Sequence, residues 1–121
     1  MSEFTRGALS DYLSSLGMAL EEGLGDRVTC QLENGWTLHF EHNDDALRVL
    51  IFVPREWDLD ACIERALLRV NLLSNPRFSP MLGLYRDALL FALRIDQRRC
   101  TRAEISDSVN FLMRLGEMVI A

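Results

Sequence analysis

The chain has 121 residues, about half of them hydrophobic and a quarter charged, which is enough for one soluble globular domain and too little for two ordinary cores. Its formal net charge is −5, and all 13 basic residues are arginine. That balance argues against a nucleic-acid partner, because phosphate binding needs clustered positive charge. The densest basic group, Arg98, Arg99 and Arg102, is flanked by Asp96, Glu104 and Asp107 and reads as a solvated turn. No apolar run approaches the roughly 20 residues of a membrane span. The polar, acidic start at Met1–Arg6 lacks the basic start and apolar stretch of a signal peptide, so the expected location is the cytoplasm.

The first element is an amphipathic helix over Thr5 to Glu22, with Leu9, Leu13, Leu16 and Leu20 on one face and Gly23 and Gly25 as its stop. Three strands follow. Val28, Cys30 and Leu32 alternate with polar residues, and Asn34-Gly35 predicts a type I′ hairpin turn. Trp36, Leu38 and Phe40 alternate again, and Asn43-Asp44-Asp45 makes the next turn. The third strand, Ala46 to Val53, is apolar on both faces, Leu47, Val49, Ile51 and Val53 on one and Leu50 and Phe52 on the other. It should therefore be covered on both sides.

Asp58 is placed to cap a second helix that runs to about Ser74 and is stopped by Asn75-Pro76. Strands at Leu82–Tyr85 and Ala88–Ile95 form a second hairpin about Arg86-Asp87. Thr101 and Glu104 make a capping box for a last helix bearing Ile105, Val109, Leu112, Gly116 and Val119 on one face. The order is α-β-β-β-α-β-β-α, and short turns make the strands antiparallel. The expected fold is a single α+β domain over residues 1–121, an antiparallel sheet flanked by helices.

The second helix carries more apolar surface than docking needs. Leu59, Ile63, Ala66, Leu67, Val70 and Leu73 form a docking stripe, while Ala61, Leu68 and Leu72 project from roughly the opposite side. Burying a leucine is worth about 1.5–3 kcal/mol, so another part of the chain or a second copy should cover them. A dimer interface at Ala61, Leu68 and Leu72 is the expectation. Leu50 and Phe52, with Leu89, Phe91 and Leu93, are read as a second apolar face. Either the second helix covers that face, or part of it is an open groove for a partner, with Trp36 and Trp57 at the rim.

No chemistry emerges. His39 and His42 are the only histidines, and no cysteine or carboxylate completes a ligand set with them. His39 is expected to be exposed on a polar strand face beside Glu41. Glu41, Asp44 and Asp45 lack calcium-loop spacing, Ser14 and Ser15 lack a nucleophile elbow, and no glycine-rich loop cradles phosphate. Cys30, Cys62 and Cys100 form no disulfide framework or zinc motif, and Cys30 reads as a small core residue. No cofactor, metal or catalytic residue is implied, and the chain is not expected to be an enzyme.

Certain stretches resemble the class I type III secretion chaperones. They are Leu13-Ser14-Ser15-Leu16-Gly17 with Leu20 leading to Cys30-Gln31-Leu32, the hairpin Glu33-Asn34-Gly35-Trp36-Thr37-Leu38, and Leu89 to Ala121 with Phe111-Leu112-Met113-Arg114-Leu115. The last looks like the branch of that bacterial family that escorts gatekeeper proteins. The resemblance implies a small acidic virulence-associated dimer, a homodimer or a heterodimer with a sister chaperone. It also implies that a secreted effector or gatekeeper is the partner, held by its amino-terminal segment in extended form. Strand addition and apolar anchors would supply the affinity. The competing reading is a non-enzymatic structural adaptor or heterodimeric assembly subunit of a secretion apparatus.

Overall fold

The structure, a computed structural model, describes residues 3–18, 27–43, 45–55 and 58–120. They form α1 (Glu3–Ser15), β1 (Arg27–Gln31), β2 (Thr37–Asn43), β3 (Ala46–Pro54), α2 (Leu59–Leu73), β4 (Met81–Tyr85), β5 (Ala88–Asp96), a 3-10 turn (Gln97–Arg99) and α3 (Arg102–Ile120). This is the element order expected from the sequence, and every strand pairing is antiparallel.

α1 buries Leu9 and Leu13 as its pattern requires, but it ends well before Glu22. Gly17 takes φ +78°, its N–H donates to Ser14 O at 3.0 Å, and Met18 N–H donates to Leu13 O at 2.9 Å. These paired bonds satisfy the last carbonyls and close the helix in a Schellman motif, which glycine enters without steric cost. Leu16 therefore lies past the helix end and is exposed. Leu20, Gly23, Gly25 and Asp44 lie outside the described residues.

The sheet runs in the order β1-β2-β3-β5-β4. The β1–β2 connection is not the two-residue turn expected at Asn34-Gly35. Leu32 N–H donates to Trp36 O and Gly35 N–H to Leu32 O, which makes a three-residue loop with Gly35 alone at positive φ. Asn34 uses its side chain instead, accepting from Trp36 N–H at 2.9 Å. The β4–β5 hairpin turns at Arg86-Asp87 as expected, with Arg86 in the left-handed region at φ +55°.

All three helices lie on one face of the sheet. Leu9 and Leu13 of α1, Cys62 and Ala66 of α2, and Ile105, Leu112 and Val119 of α3 share one core with Leu38, Phe40, Ile51, Val53, Leu89 and Phe91. α3 lies closest, and its Gly116 lets the Trp36 ring approach to where a Cβ would stand 2.8 Å from it. The docking face of α2 is rotated from the expected stripe. Cys62 and Ala66 are fully buried at its centre, whereas Leu67, expected to dock, is 55% exposed at its margin. Arg55 and Arg65 tie this helix to the end of α3, Arg65 Nε donating to Val119 O at 2.6 Å and Arg55 Nη2 reaching Ile120 O at 3.5 Å.

Candidate partner-binding surfaces

Strand register decides which side chains share a face. Phe52 lies opposite Leu90, Leu50 opposite Ala92, and Pro54 opposite Ala88. Leu89, Phe91 and Leu93 instead pair with Val53, Ile51 and Val49, so they belong to the helix-covered core and are buried. The face expected from Leu50, Phe52, Leu89, Phe91 and Leu93 therefore does not exist as one surface. Its true members on β5 are Leu90 and Ala92. A one-residue change of pairing moves every side chain across the sheet, and both alternating sets of β5 are apolar. Trp36 is likewise not at a rim, because it is buried under Gly116 with the even-numbered core residues of β2. Trp57 lies outside the described residues.

The face opposite the helices is divided. Its β3–β5–β4 half is apolar: Leu50 and Ala92 are buried, Phe52 and Leu90 are half-buried, and Met81 and Tyr85 are exposed at the edge. Phe52 and Tyr85 meet edge to face with ring centroids 5.9 Å apart. Among the described residues every buried hydrophobic helix residue belongs to the other face's core, so no helix covers this one. The expectation that β3 is covered on both sides is met on this side by no helix among the described residues.

The β1–β2 half is polar. His39 bonds Thr29 Oγ1 through Nδ1 at 2.7 Å and lies 3.5 Å from Glu41 through Nε2, half-buried rather than exposed as expected. Arg48 Nη1 closes the row on Glu41 at 3.2 Å. His42 bonds Gln97 separately, so the two imidazoles do not converge. Among the described residues no group of three His, Cys, Asp or Glu side chains could hold a metal ion, and no helix is long and apolar enough to cross a membrane.

The second surface is the outer side of α2. At 100° per residue Ala61, Leu68 and Leu72 fall within an arc of about 40°, all exposed, with Leu68 at 58% and Leu72 at 65%. α2 packs on β4, whose Leu84 is also exposed on the helix-bearing face. Isolated exposed leucines are ordinary, but a contiguous row of them marks an association surface.

Solved structures share this whole architecture. One chain of the complex of the Yersinia pestis type III secretion chaperone SycH with a stable fragment of YscM2 superposes with a TM-score of 0.73 at 14% identity, covering 95% of this chain and 98% of that one. A chain of the HopA1–SchA chaperone–effector complex gives 0.70 at 16% identity, covering 98% and 94%. A chain of the ExoT–SpcS complex from Pseudomonas aeruginosa gives 0.67 at 20% identity, covering 96% and 97%. The chain has the type III secretion chaperone fold. No protein-family model and no curated protein matches the sequence, as expected where the fold is kept by degenerate apolar patterns rather than signature residues. On that fold, the sheet face opposite the helices and the outer side of α2 are surfaces on which the described residues leave apolar side chains exposed.

Proposed function

We propose that this protein is a bacterial cytoplasmic chaperone of type III secretion that binds the amino-terminal segment of a secreted effector or gatekeeper in extended form and catalyses nothing. The observation that carries this reading is the helix-free sheet face, where Leu50, Phe52, Leu90 and Ala92 form an apolar floor with Met81 and Tyr85 beside it. A floor of this kind accepts apolar side chains from a partner that has no fold of its own, and it needs neither nucleotide nor metal. The structures with this fold were solved with partners, a fragment of YscM2 and the effector HopA1 among them, which supports the same use here.

We assign the second surface, Ala61, Leu68 and Leu72, to pairing with another copy of the chain. Two leucines left wet on each copy forgo several kcal/mol of burial. A twofold contact between α2 helices removes both rows at once.

The test is affinity capture of the tagged protein from a host that carries the secretion system, followed by limited proteolysis. The expected result is a secreted protein whose amino-terminal segment is protected while still lacking a globular fold. Recovery of a folded, stoichiometric apparatus subunit in its place would favour the adaptor reading and overturn this one.

A further inference from the structure

Strand register also lines up a row of charge across the helix-free face. Arg48 of β3 and Arg94 of β5 lie directly opposite each other, and Glu41 of β2 lies opposite Arg48 on its other side. Like charges in directly opposed positions of an antiparallel pair are unfavourable. Arg48 is half-buried and gives one guanidinium nitrogen, Nη1, to Glu41 at 3.2 Å. A guanidinium carries five N–H donors, so Arg48 keeps others to give. Arg94 is exposed, and its guanidinium has no hydrogen bond or ion pair among the described residues.

The two arginines wall a hollow of about 70 Å³ together with Asn43 and Ala46, which is room for a small polar group such as a carboxylate. Asp96 lies two residues beyond Arg94 on the same face, opposite Ala46. Its carboxylate accepts Arg98 N–H at 3.1 Å and pairs with neither Arg48 nor Arg94 among the described residues. The hollow borders the apolar floor. Leu50 and Ala92 stand one pair in from Arg48 and Arg94, and Phe52 and Leu90 one pair further. Same-face neighbours along a strand are about 7 Å apart, and an extended partner presents alternate side chains at nearly the same interval. Three successive inward-facing positions of such a partner therefore fall over Phe52–Leu90, Leu50–Ala92 and Arg48–Arg94.

We propose that the hollow at Arg48 and Arg94 takes an aspartate or glutamate of the partner, placed two residues beyond the nearer of two apolar anchors that themselves stand two apart. The partner's code is apolar-x-apolar-x-acidic, read in either chain direction. A carboxylate in the hollow accepts from both guanidinium groups and turns an opposed like-charge pair into a shared contact. The assignment rests on the apolar floor being the partner's seat. It concerns side chains on the face of the sheet, not main-chain pairing at an edge.

The probes are three blocked pentapeptides, Leu-Ser-Leu-Ser-Glu, Leu-Ser-Leu-Ser-Gln and Leu-Glu-Leu-Ser-Ser, each titrated into the ¹⁵N-labelled full chain. The first is expected to shift the amides of Leu50, Ala92 and Arg94 to saturation. It should bind about tenfold or more tighter than the other two, as loss of a hydrogen-bonded charge contact predicts. The third peptide carries the same charge, so its weaker binding separates a placed carboxylate from general attraction. Arg94→Gln should abolish the preference and melt no lower than the parent, because it relieves the opposed pair. Equal affinity for the three peptides with shifts on the floor would overturn the acidic site and leave the floor standing, as would an Arg94→Gln protein that keeps the preference or melts lower. Shifts centred away from this face, or no saturable binding, would overturn the floor and the site together.

Discussion

Gly116→Ala probes the packing that removes Trp36 from the partner surface. The added methyl would stand 2.8 Å and 2.9 Å from two carbons of the Trp36 ring and 3.4 Å from Val53 Cγ2. The ring is buried between α3 and β3, so it cannot swing aside as a flexible side chain would. Overpacking of this kind costs about 1–3 kcal/mol. Alanine recovers about 0.5–1 kcal/mol of helix propensity over glycine. The expected net effect is a loss of about 1–2 kcal/mol, a few degrees in Tm for a domain of this length. Chemical denaturation followed by helical circular dichroism measures it. Trp36→Phe in the Gly116→Ala background should recover part of the loss, and the double-mutant cycle isolates the contact. A Gly116→Ala protein as stable as the parent would refute the close approach of α3 to Trp36 and return the indole to the candidate surfaces.

Leu68→Asp with Leu72→Asp should give a folded monomer by light scattering, because a paired α2 face cannot bury unpartnered carboxylates; a folded protein that stays dimeric would move the interface off this helix. Arg86→Gly should raise stability by about 0.5–1 kcal/mol in urea denaturation, since Arg86 holds φ +55° at the hairpin where glycine has no Cβ penalty. Burial pushes the Cys100 thiol up to about 11, with the Thr5 hydroxyl partly offsetting the rise. Folding thus favours the protonated thiol: its contribution is complete below the ordinary value of 9.0 and fades as pH climbs from there to about 11. Melts across that range should show the decline, and Cys100→Ala should lessen it, the remainder coming from Cys30 and Tyr12, which burial also pushes up.

The element order was legible because each switch of period coincided with a turn signal, and Thr101 does accept from Glu104 N–H at 3.1 Å as the capping pattern predicts. Glu104 completes only half of that box, since its carboxylate goes to Arg77. The end of α1 was also written in the sequence, at Gly17 rather than at Gly23, but a leucine period that continued to Leu20 masked it. The faces of β5 were not legible from alternation, because Leu89, Phe91 and Leu93 and the interleaved Ala88, Leu90 and Ala92 are both apolar. Volume carried the missing signal: the bulkier set fills the core, and the alanine-rich set lines the open face. On α2 the fully buried Cys62 falls outside the apolar stripe read from the sequence, because the leucines nearby outweigh it in hydrophobicity, although a small side chain suits close helix packing. The extra leucines at 68 and 72 were legible for the same reason that the docking stripe was misjudged: the helix is apolar nearly all round.

The most direct measurement of the central claim is calorimetric titration of the captured partner's amino-terminal segment into the parent protein and into Phe52→Ala and Leu90→Ala, each variant melted in parallel. Both side chains are half-buried on the helix-free face and directly opposite each other across β3 and β5. Anchor contacts of this kind cost about 2 kcal/mol or more on truncation, near a thirtyfold loss of affinity. The account predicts that loss in both variants with melting temperatures close to the parent's. Unaltered affinity in variants that melt like the parent would contradict it and remove the open sheet face as the seat of binding.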